Sequence, residues 1–210
     1  KFNKYYILFN YMYSKKKLAI FLSKLKDFEN PSTKLEQYST DSEIASEVLW
    51  FAKLNGDIEN KIIADFGCGT GILGIGAFLL GAKKLIFIDK DEKSLAILND
   101  NLELIENSDY KIINDDIKNI NVEADIIIQN PPFGAKRENR NADKIFLEKA
   151  FTCSNIIYSF HKSESKRFIE SISKENNFKT TNYFEFNWPL KRIHNFQKKK
   201  IQYIKVGCWR

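Results

Sequence analysis

The 210-residue chain predicts an α/β fold, a doubly wound and mostly parallel seven-stranded sheet closed by an antiparallel hairpin and preceded by helices. Three observations carry this reading. From Lys61 onward, short apolar runs alternate with segments of helical periodicity. Several runs, such as Ala124-Asp125-Ile126-Ile127-Ile128, are apolar on both faces, as central parallel strands are. The last two runs instead alternate residue by residue and have no helix between them, which makes a hairpin.

Taken in order, residues 15–28 place Leu18, Phe21, Leu22, Leu25 and Phe28 on one stripe of a lysine-rich helix, with Pro31 beyond its end. A second helix over 41–54 turns Ile44, Val48, Phe51 and Ala52 inward. Strands are expected at 61–66, 84–89, 110–114, 124–130 and 155–160, with helices near 71–81, 92–106, 143–153 and 164–175. Right-handed crossovers then give the doubly wound sheet. In 182–188, Asn182, Phe184, Phe186 and Trp188 alternate with Tyr183, Glu185 and Asn187; in 201–209, Ile204, Val206 and Cys208 alternate with Tyr203, Lys205 and Gly207. A parallel sheet finished by one antiparallel hairpin is the Rossmann-like layout of class I methyltransferases. Layout alone does not establish activity.

Composition bounds the alternatives. With 43% hydrophobic and 14% aromatic residues the chain can build a full core, which excludes wholesale disorder. No run approaches the ~18 uninterrupted apolar residues of a membrane helix. The three cysteines, Cys68, Cys153 and Cys208, lie far apart, a pattern of neither a disulfide framework nor a zinc site, and fit a reducing cytoplasm. Charge is uneven. Residues 1–26 and 189–210 each hold seven Lys or Arg and no acidic residue, whereas the intervening body is net acidic. Two basic ends suit a polyanionic partner held at the periphery.

Five of the nine glycines fall between Gly67 and Gly76. The segment Asp65-Phe66-Gly67-Cys68-Gly69-Thr70-Gly71 follows a strand and opens a helix, so its backbone can turn sharply and approach a ligand. Gly69, Gly71 and Gly74 also spell the G-x-G-x-x-G of dinucleotide sites, a weak pattern by itself. A pyrophosphate on that helix N-terminus would be repelled by a carboxylate at Asp65. S-adenosylmethionine carries a sulfonium and an ammonium, which an acidic residue favours, and is the expected cofactor. Asp89, ending the next strand, is placed to accept from the ribose hydroxyls, and Asp116-Ile117 to read and cover the adenine.

Asn130-Pro131-Pro132-Phe133 ends the fourth expected strand, at the edge where open α/β sheets hold ligands. An exocyclic amino nitrogen is a poor nucleophile because its lone pair is delocalised into the ring. The Asn130 side-chain oxygen and the Pro131 carbonyl can each accept one N–H bond and free that lone pair. The prolines fix the acceptors beforehand, and Phe133 offers a stacking face for a flipped base. Adenine N6, guanine N2 and a protein glutamine all satisfy this chemistry. An RNA-binding module with a vestigial cofactor site is the reading from another class, although Asp65, Asp89 and Asn130 are all present.

The residues resemble the methyltransferase-like protein five family, adenine-N6 methyltransferases of small-subunit ribosomal RNA, over nearly the whole chain from about Lys15. The resemblance rests on Leu35-Glu36-Gln37-Tyr38-Ser39-Thr40, Asp65–Gly71, Asp89-Lys90-Asp91-Glu92, Asn130–Gly134, Tyr158-Ser159-Phe160-His161-Lys162 and Lys198-Lys199-Lys200. It implies cofactor contacts from Gln37, Thr40, Gly67, Thr70, Ile72, Asp89, Asp116 and Ile117, joining Asp65, Cys68, Gly69 and Gly71 of the glycine loop. It also implies that Asn130 and Phe133 hold the adenine. A small zinc-binding activator protein on the edge of the third strand, Tyr110–Asn114, is implied as well. The family usually has proline where Ser39 stands, so the backbone before Thr40 lacks that constraint here.

Several residues carry a second reading. Thr40-Asp41-Ser42-Glu43 is a capping box, in which Thr40 would cap the following helix. His161 ends the fifth strand, where a structural hydrogen bond and a substrate contact are equal readings. RNA contact is expected from Lys191, Arg192, His194, Phe196 and Lys198, Lys199, Lys200 in the hairpin connection, where basic and aromatic residues mix. The polar loop 134–141, with Lys136, Arg137 and Arg140, is expected to close over the base. Residues 1–40 are read as a basic helix and cofactor lid, and 41–210 as the methyltransferase domain.

Overall fold

The computed structural model describes residues 14–29, 31–32, 34–105, 109–134, 141–191 and 201–210. Seven strands form one sheet: β1 (Ile62–Phe66), β2 (Lys84–Asp89), β3 (Tyr110–Asn114), β4 (Ile126–Gln129), β5 (Ile157–Lys162), β6 (Tyr183–Lys191) and β7 (Ile201–Trp209). Their order is β3-β2-β1-β4-β5-β7-β6. Strands β1 to β5 are parallel, and β7 is antiparallel to both β5 and β6. The α-helices among the described residues are α1 (Lys15–Leu22), α2 (Ser42–Leu54), α3 (Ile72–Leu79), α4 (Glu92–Leu102), α5 (Ala142–Cys153) and α6 (Lys166–Glu175). None is long and apolar enough to cross a membrane.

Apolar side chains on both faces of the central strands make the sandwich. Ile63, Phe87, Ile126 and Ile128 pack with α1 to α4, while Ala64, Phe66 and Ile127 pack with Ala150 and Cys153 of α5. Leu18 and Leu22 of α1 share the first of these cores with Leu49 of α2. Strand order reverses between β1 and β4, and such a reversal opens a crevice beyond the carboxyl ends of the two strands. At the opposite end of the sheet, Arg210 Nε donates to Asp57 Oδ2 at 2.7 Å and the Tyr158 hydroxyl to the same oxygen at 2.6 Å. This partly buried cluster ties the end of β7 to the turn before β1.

Two local expectations are corrected. The first helix stops at Leu22, although its apolar stripe continues to Phe28. The reason is a side chain from far along the chain. Asn101 Oδ1 accepts from Lys26 N at 2.8 Å and Asn101 Nδ2 donates to Lys26 O at 3.0 Å, so this backbone is satisfied without a helix. The N-cap of α2 is Asp41, not Thr40: its carboxylate accepts from Glu43 N at 2.9 Å and Ile44 N at 3.2 Å. Thr40 is thereby released for another partner.

Candidate active site

The crevice at the reversal is a cleft walled by loops from four strands and by the segment before α2. Its lining includes Phe28, Glu36, Gln37 and Tyr38 on one side, Gly67 and Gly69 below, and Asp89, Asp116 and Ile117 beyond β2 and β3. Asn130, Pro132 and Phe146 complete it.

The glycine loop is shaped by its own hydrogen bonds. Gly69 and Gly71 adopt φ of +53° and +90°, a region that side chains disfavour. A Cβ on Gly69 would also stand 2.9 Å from the Phe28 ring, which lies over the loop. Gly69 N donates to Asp89 Oδ2 at 2.8 Å, and Asp89 Oδ1 accepts from Asp91 N at 2.9 Å. Burial raises the Asp89 carboxyl above its ordinary value despite these bonds. Asp65 lies beneath the loop, where its Oδ2 accepts from Gly74 N in the first turn of α3 at 2.9 Å. Burial, with the nearby Asp89 charge, pushes the Asp65 carboxyl up to about 7 against that bond.

The segment before α2 is strapped across the cleft. Gln37 Nε2 donates to Asp91 Oδ2 at 2.6 Å and to Ser94 Oγ at 3.0 Å, while its Oε1 accepts from Ser32 N at 2.7 Å. Asn101 Nδ2 donates to the Thr70 carbonyl at 2.9 Å as well as to Lys26 O, so one buried amide ties the strap to the glycine loop. The Ser39 hydroxyl donates to Asp27, a tether that proline at this position could not make.

The Asn130 amide is oriented by Thr40, whose Oγ1 accepts from Asn130 Nδ2 at 3.1 Å. Asn130 Oδ1 is buried and has no hydrogen-bond partner among the described residues. Three residues on, Phe133 makes two aromatic contacts. Phe133 lies nearly parallel to Tyr38, with centroids 6.3 Å apart and 17° between planes, and meets Trp188 edge-on.

Of the cofactor residues read from sequence, Gln37, Gly67, Gly69, Asp89, Asp116 and Ile117 line the cleft beside Asn130 and Pro132. Asp65, Cys68, Thr70, Gly71 and Ile72 form the loop and helix start behind it, and Thr40 reaches it through Asn130. Pro131 is buried and Phe133 half-buried. Lys136, Arg137, Arg140, Arg192, His194, Phe196, Lys198, Lys199 and Lys200 lie outside the described residues, as does the side chain of Lys191. His161 is a core residue. Its Nε2 lies 2.6 Å from Ser159 Oγ, and burial lowers its basicity to about 3, so it stays neutral.

Phe28, Glu36, Tyr38, Phe146 and Asn101 had not been singled out as site residues. Asn101 left a trace in the sequence as an amide three residues beyond Leu98, on the inward side of the helix. Phe28 left none, because its stripe position read as core.

Chemically, among the described residues, the cleft carries the carboxylates Glu36, Asp89, Asp115 and Asp116 against one cation, Lys90. Hydrogen bonds from Lys118 N and Lys90 hold the Asp116 carboxyl below its ordinary value despite the upward push of partial burial. Apolar faces come from Ile88, Ile117 and Phe146. Such a lining suits a cation bearing a flat apolar group and disfavours a polyphosphate. S-adenosylmethionine has both features, and these residues fit it.

Comparison with known proteins agrees. Residues 38–154 match the methyltransferase small domain. The chain is 35% identical to an uncharacterized protein of Methanocaldococcus jannaschii, covering 95% of this chain and 94% of that one. It is 34% identical to the rRNA N(6)-adenosine-methyltransferase METTL5 of Danio rerio, covering 91% of this chain and 95% of its relative. The crystal structure of PH1948 from Pyrococcus horikoshii superimposes with a TM-score of 0.84 at 43% identity, over 93% of this chain and 96% of that one. A cleft shaped for S-adenosylmethionine and a likeness that spans almost the entire length lead to one assignment: the chain belongs to the METTL5 family and is an S-adenosylmethionine-dependent methyltransferase.

Proposed function

We propose that this chain methylates N6 of an adenine in small-subunit ribosomal RNA. The observation that carries the reading is the Asn130 amide beside the cofactor cleft, whose Nδ2 is held by Thr40 and whose buried Oδ1 has no partner among the described residues. A buried acceptor left open is unfavourable, and an incoming N–H donor removes that cost. The names of the METTL5 relatives, which specify rRNA N(6)-adenosine, support adenine over the guanine and glutamine alternatives.

S-adenosylmethionine supplies an electrophilic methyl group when bound. Gln37, Gly67, Gly69, Asp89, Asp116 and Ile117 would hold it, with Thr40, Asp65, Cys68, Thr70, Gly71 and Ile72 fixing the frame. Asn130 Oδ1 and the Pro131 carbonyl accept the two N6–H bonds, so the nitrogen lone pair leaves conjugation with the ring and faces the methyl. Pro131 and Pro132 keep the acceptors from reorganising. Phe133 stacks on the flipped base, a contact worth about 1–3 kcal/mol. The proton departs after the nitrogen has become cationic, so no strong base is needed.

RNA is held at the periphery by Lys136, Arg137, Lys191, Arg192, His194, Phe196, Lys198, Lys199 and Lys200. If about six phosphates are contacted, affinity falls about a thousandfold between 50 and 200 mM salt. Neutralising Lys198, Lys199 and Lys200 should flatten that slope in a binding titration, and an unchanged slope would remove them from the interface. A ribosomal substrate would place the work in the cytoplasm, which fits three free, buried cysteines. A small zinc-binding activator would add to β3, an edge strand with Tyr110 exposed and Ile112 and Ile113 half-buried. Separate elution of the two proteins on gel filtration would argue against it.

The test of the reaction is transfer from labelled S-adenosylmethionine to purified small-subunit rRNA and to subunit particles, followed by nucleoside mass spectrometry. N6-methyladenosine is expected. N2-methylguanosine would overturn the choice of base.

A further inference from the structure

The two last strands outrun the sheet they join. β5 ends at Lys162, paired with Val206, so Ile201–Lys205 of β7 pairs only with Asn187–Lys191 of β6. At 3.3 Å per residue this overhang is about 17 Å long. β5 runs parallel to β4 and β1, so the overhang continues past the strand ends that hold the cleft. Its two faces differ. Asn187, Tyr203 and Lys205 are exposed on one, while Trp188 on the other is fully buried.

Trp188 bridges two rings. Its indole meets Phe160 of β5 at 5.6 Å and Phe133 at 6.3 Å between centroids, both edge-on. The same Phe133 lies nearly parallel to Tyr38. Filling the core does not by itself account for an indole here. Trp188 Nε1 is buried without a partner among the described residues, which is unfavourable, and phenylalanine would leave no such donor. What the indole adds is reach, from the β5 row out to the residue at the end of the Asn-Pro-Pro-Phe turn.

We infer that Trp188 is a positioning residue: it holds Phe133 at the angle that stacks the target base. It thereby couples the base site to the hairpin that leads into the basic segment 192–200. The inference rests on the stacking role proposed above for Phe133.

A double-mutant cycle tests it. Trp188→Leu should slow single-turnover methyl transfer about tenfold while S-adenosylmethionine affinity stays within about twofold. In a Phe133→Leu chain the same change should cost less than about twofold, because the ring it holds is gone. Trp188→Phe keeps an aromatic ring but lacks the reach of the indole, so it should slow transfer nearly as much as Trp188→Leu, and a rate equal to that of the unmodified chain would overturn the inference. Equal losses in both backgrounds would overturn the inference, since the effect would then not pass through Phe133.

A second readout is independent of the reaction. With a fluorine-labelled phenylalanine at position 133, Trp188→Leu should broaden or split the fluorine resonance. A signal that stays single and narrow would overturn the inference even if RNA adenine proved not to be the substrate. Absence of N6-methyladenosine together with a broadened signal would contradict the reaction alone.

Discussion

The two halves of the cleft are finished differently. On the cofactor side four polar side chains are already held by the protein: Asp65 binds Gly74, Asp89 binds Gly69 and Asp91, Gln37 binds Asp91 and Ser94, and Asn101 binds Lys26 and Thr70. On the target side Asn130 presents an acceptor with no partner among the described residues, and Phe133, three residues on, lies against rings contributed by distant segments. A cradle that binds the same molecule in every turnover gains from being preset. A site that must pull electrons onto an amino nitrogen gains from an acceptor left open until that nitrogen arrives.

The contrast can be broken from either side. The largest effect is expected from Asn130→Ala, which should lower kcat about 10²–10³-fold, as losing a preorganised polar contact does. Cofactor affinity measured by calorimetry should hardly change, and a parallel loss of affinity would dissolve the distinction between the halves. Thr40→Val removes the acceptor that orients the Asn130 amide and should lower kcat about tenfold, the size of one hydrogen bond. An unaltered rate would show that the amide is aimed by something else.

Asn101→Leu acts on the other half. It should destabilise the fold by about 1–3 kcal/mol, since the partners it leaves are buried, and weaken cofactor binding. Thermal denaturation and a cofactor titration check this, while kcat at saturating cofactor should stay near that of the unmodified chain. A further effect concerns pH. Burial raises the Asp65 carboxyl from 3.8 to about 7, so the folded chain binds this proton more tightly than the unfolded one. The resulting stability is complete below about pH 4 and is lost as the pH rises through 7. Asp65→Asn should therefore flatten the melting temperature between those pH values, and a profile of unchanged slope would assign the dependence to another group.

Much of this was legible in the residues because it is local. The strands β1 to β5 lie within a few residues of their apolar runs, since a central strand buried on both faces has few ways to vary. The glycine loop and the Asn-Pro-Pro-Phe turn are contiguous, and both sit at the reversal of strand order. What stayed hidden depends on contacts between distant segments. Leu25 and Phe28 continue the helical stripe of α1, yet Asn101 ends that helix and Phe28 covers Gly69. For Thr40 the sequence leaves a cofactor contact and a helix cap both open, whereas Asp41 takes the cap and leaves the Thr40 hydroxyl for a residue ninety positions away. Tyr38 and Trp188 flank Phe133 from opposite ends of the chain, and no spacing records that.

The most direct measurement is the distance from Asn130 Oδ1 to the target nitrogen in a crystal structure with S-adenosylhomocysteine and an adenine-bearing RNA fragment. The account predicts N6 at hydrogen-bond distance, about 2.8–3.1 Å, with Nδ2 still on Thr40 Oγ1 and the base against Phe133. An Asn130 amide turned to offer Nδ2 to the base, or an adenine held away from Phe133, would contradict it.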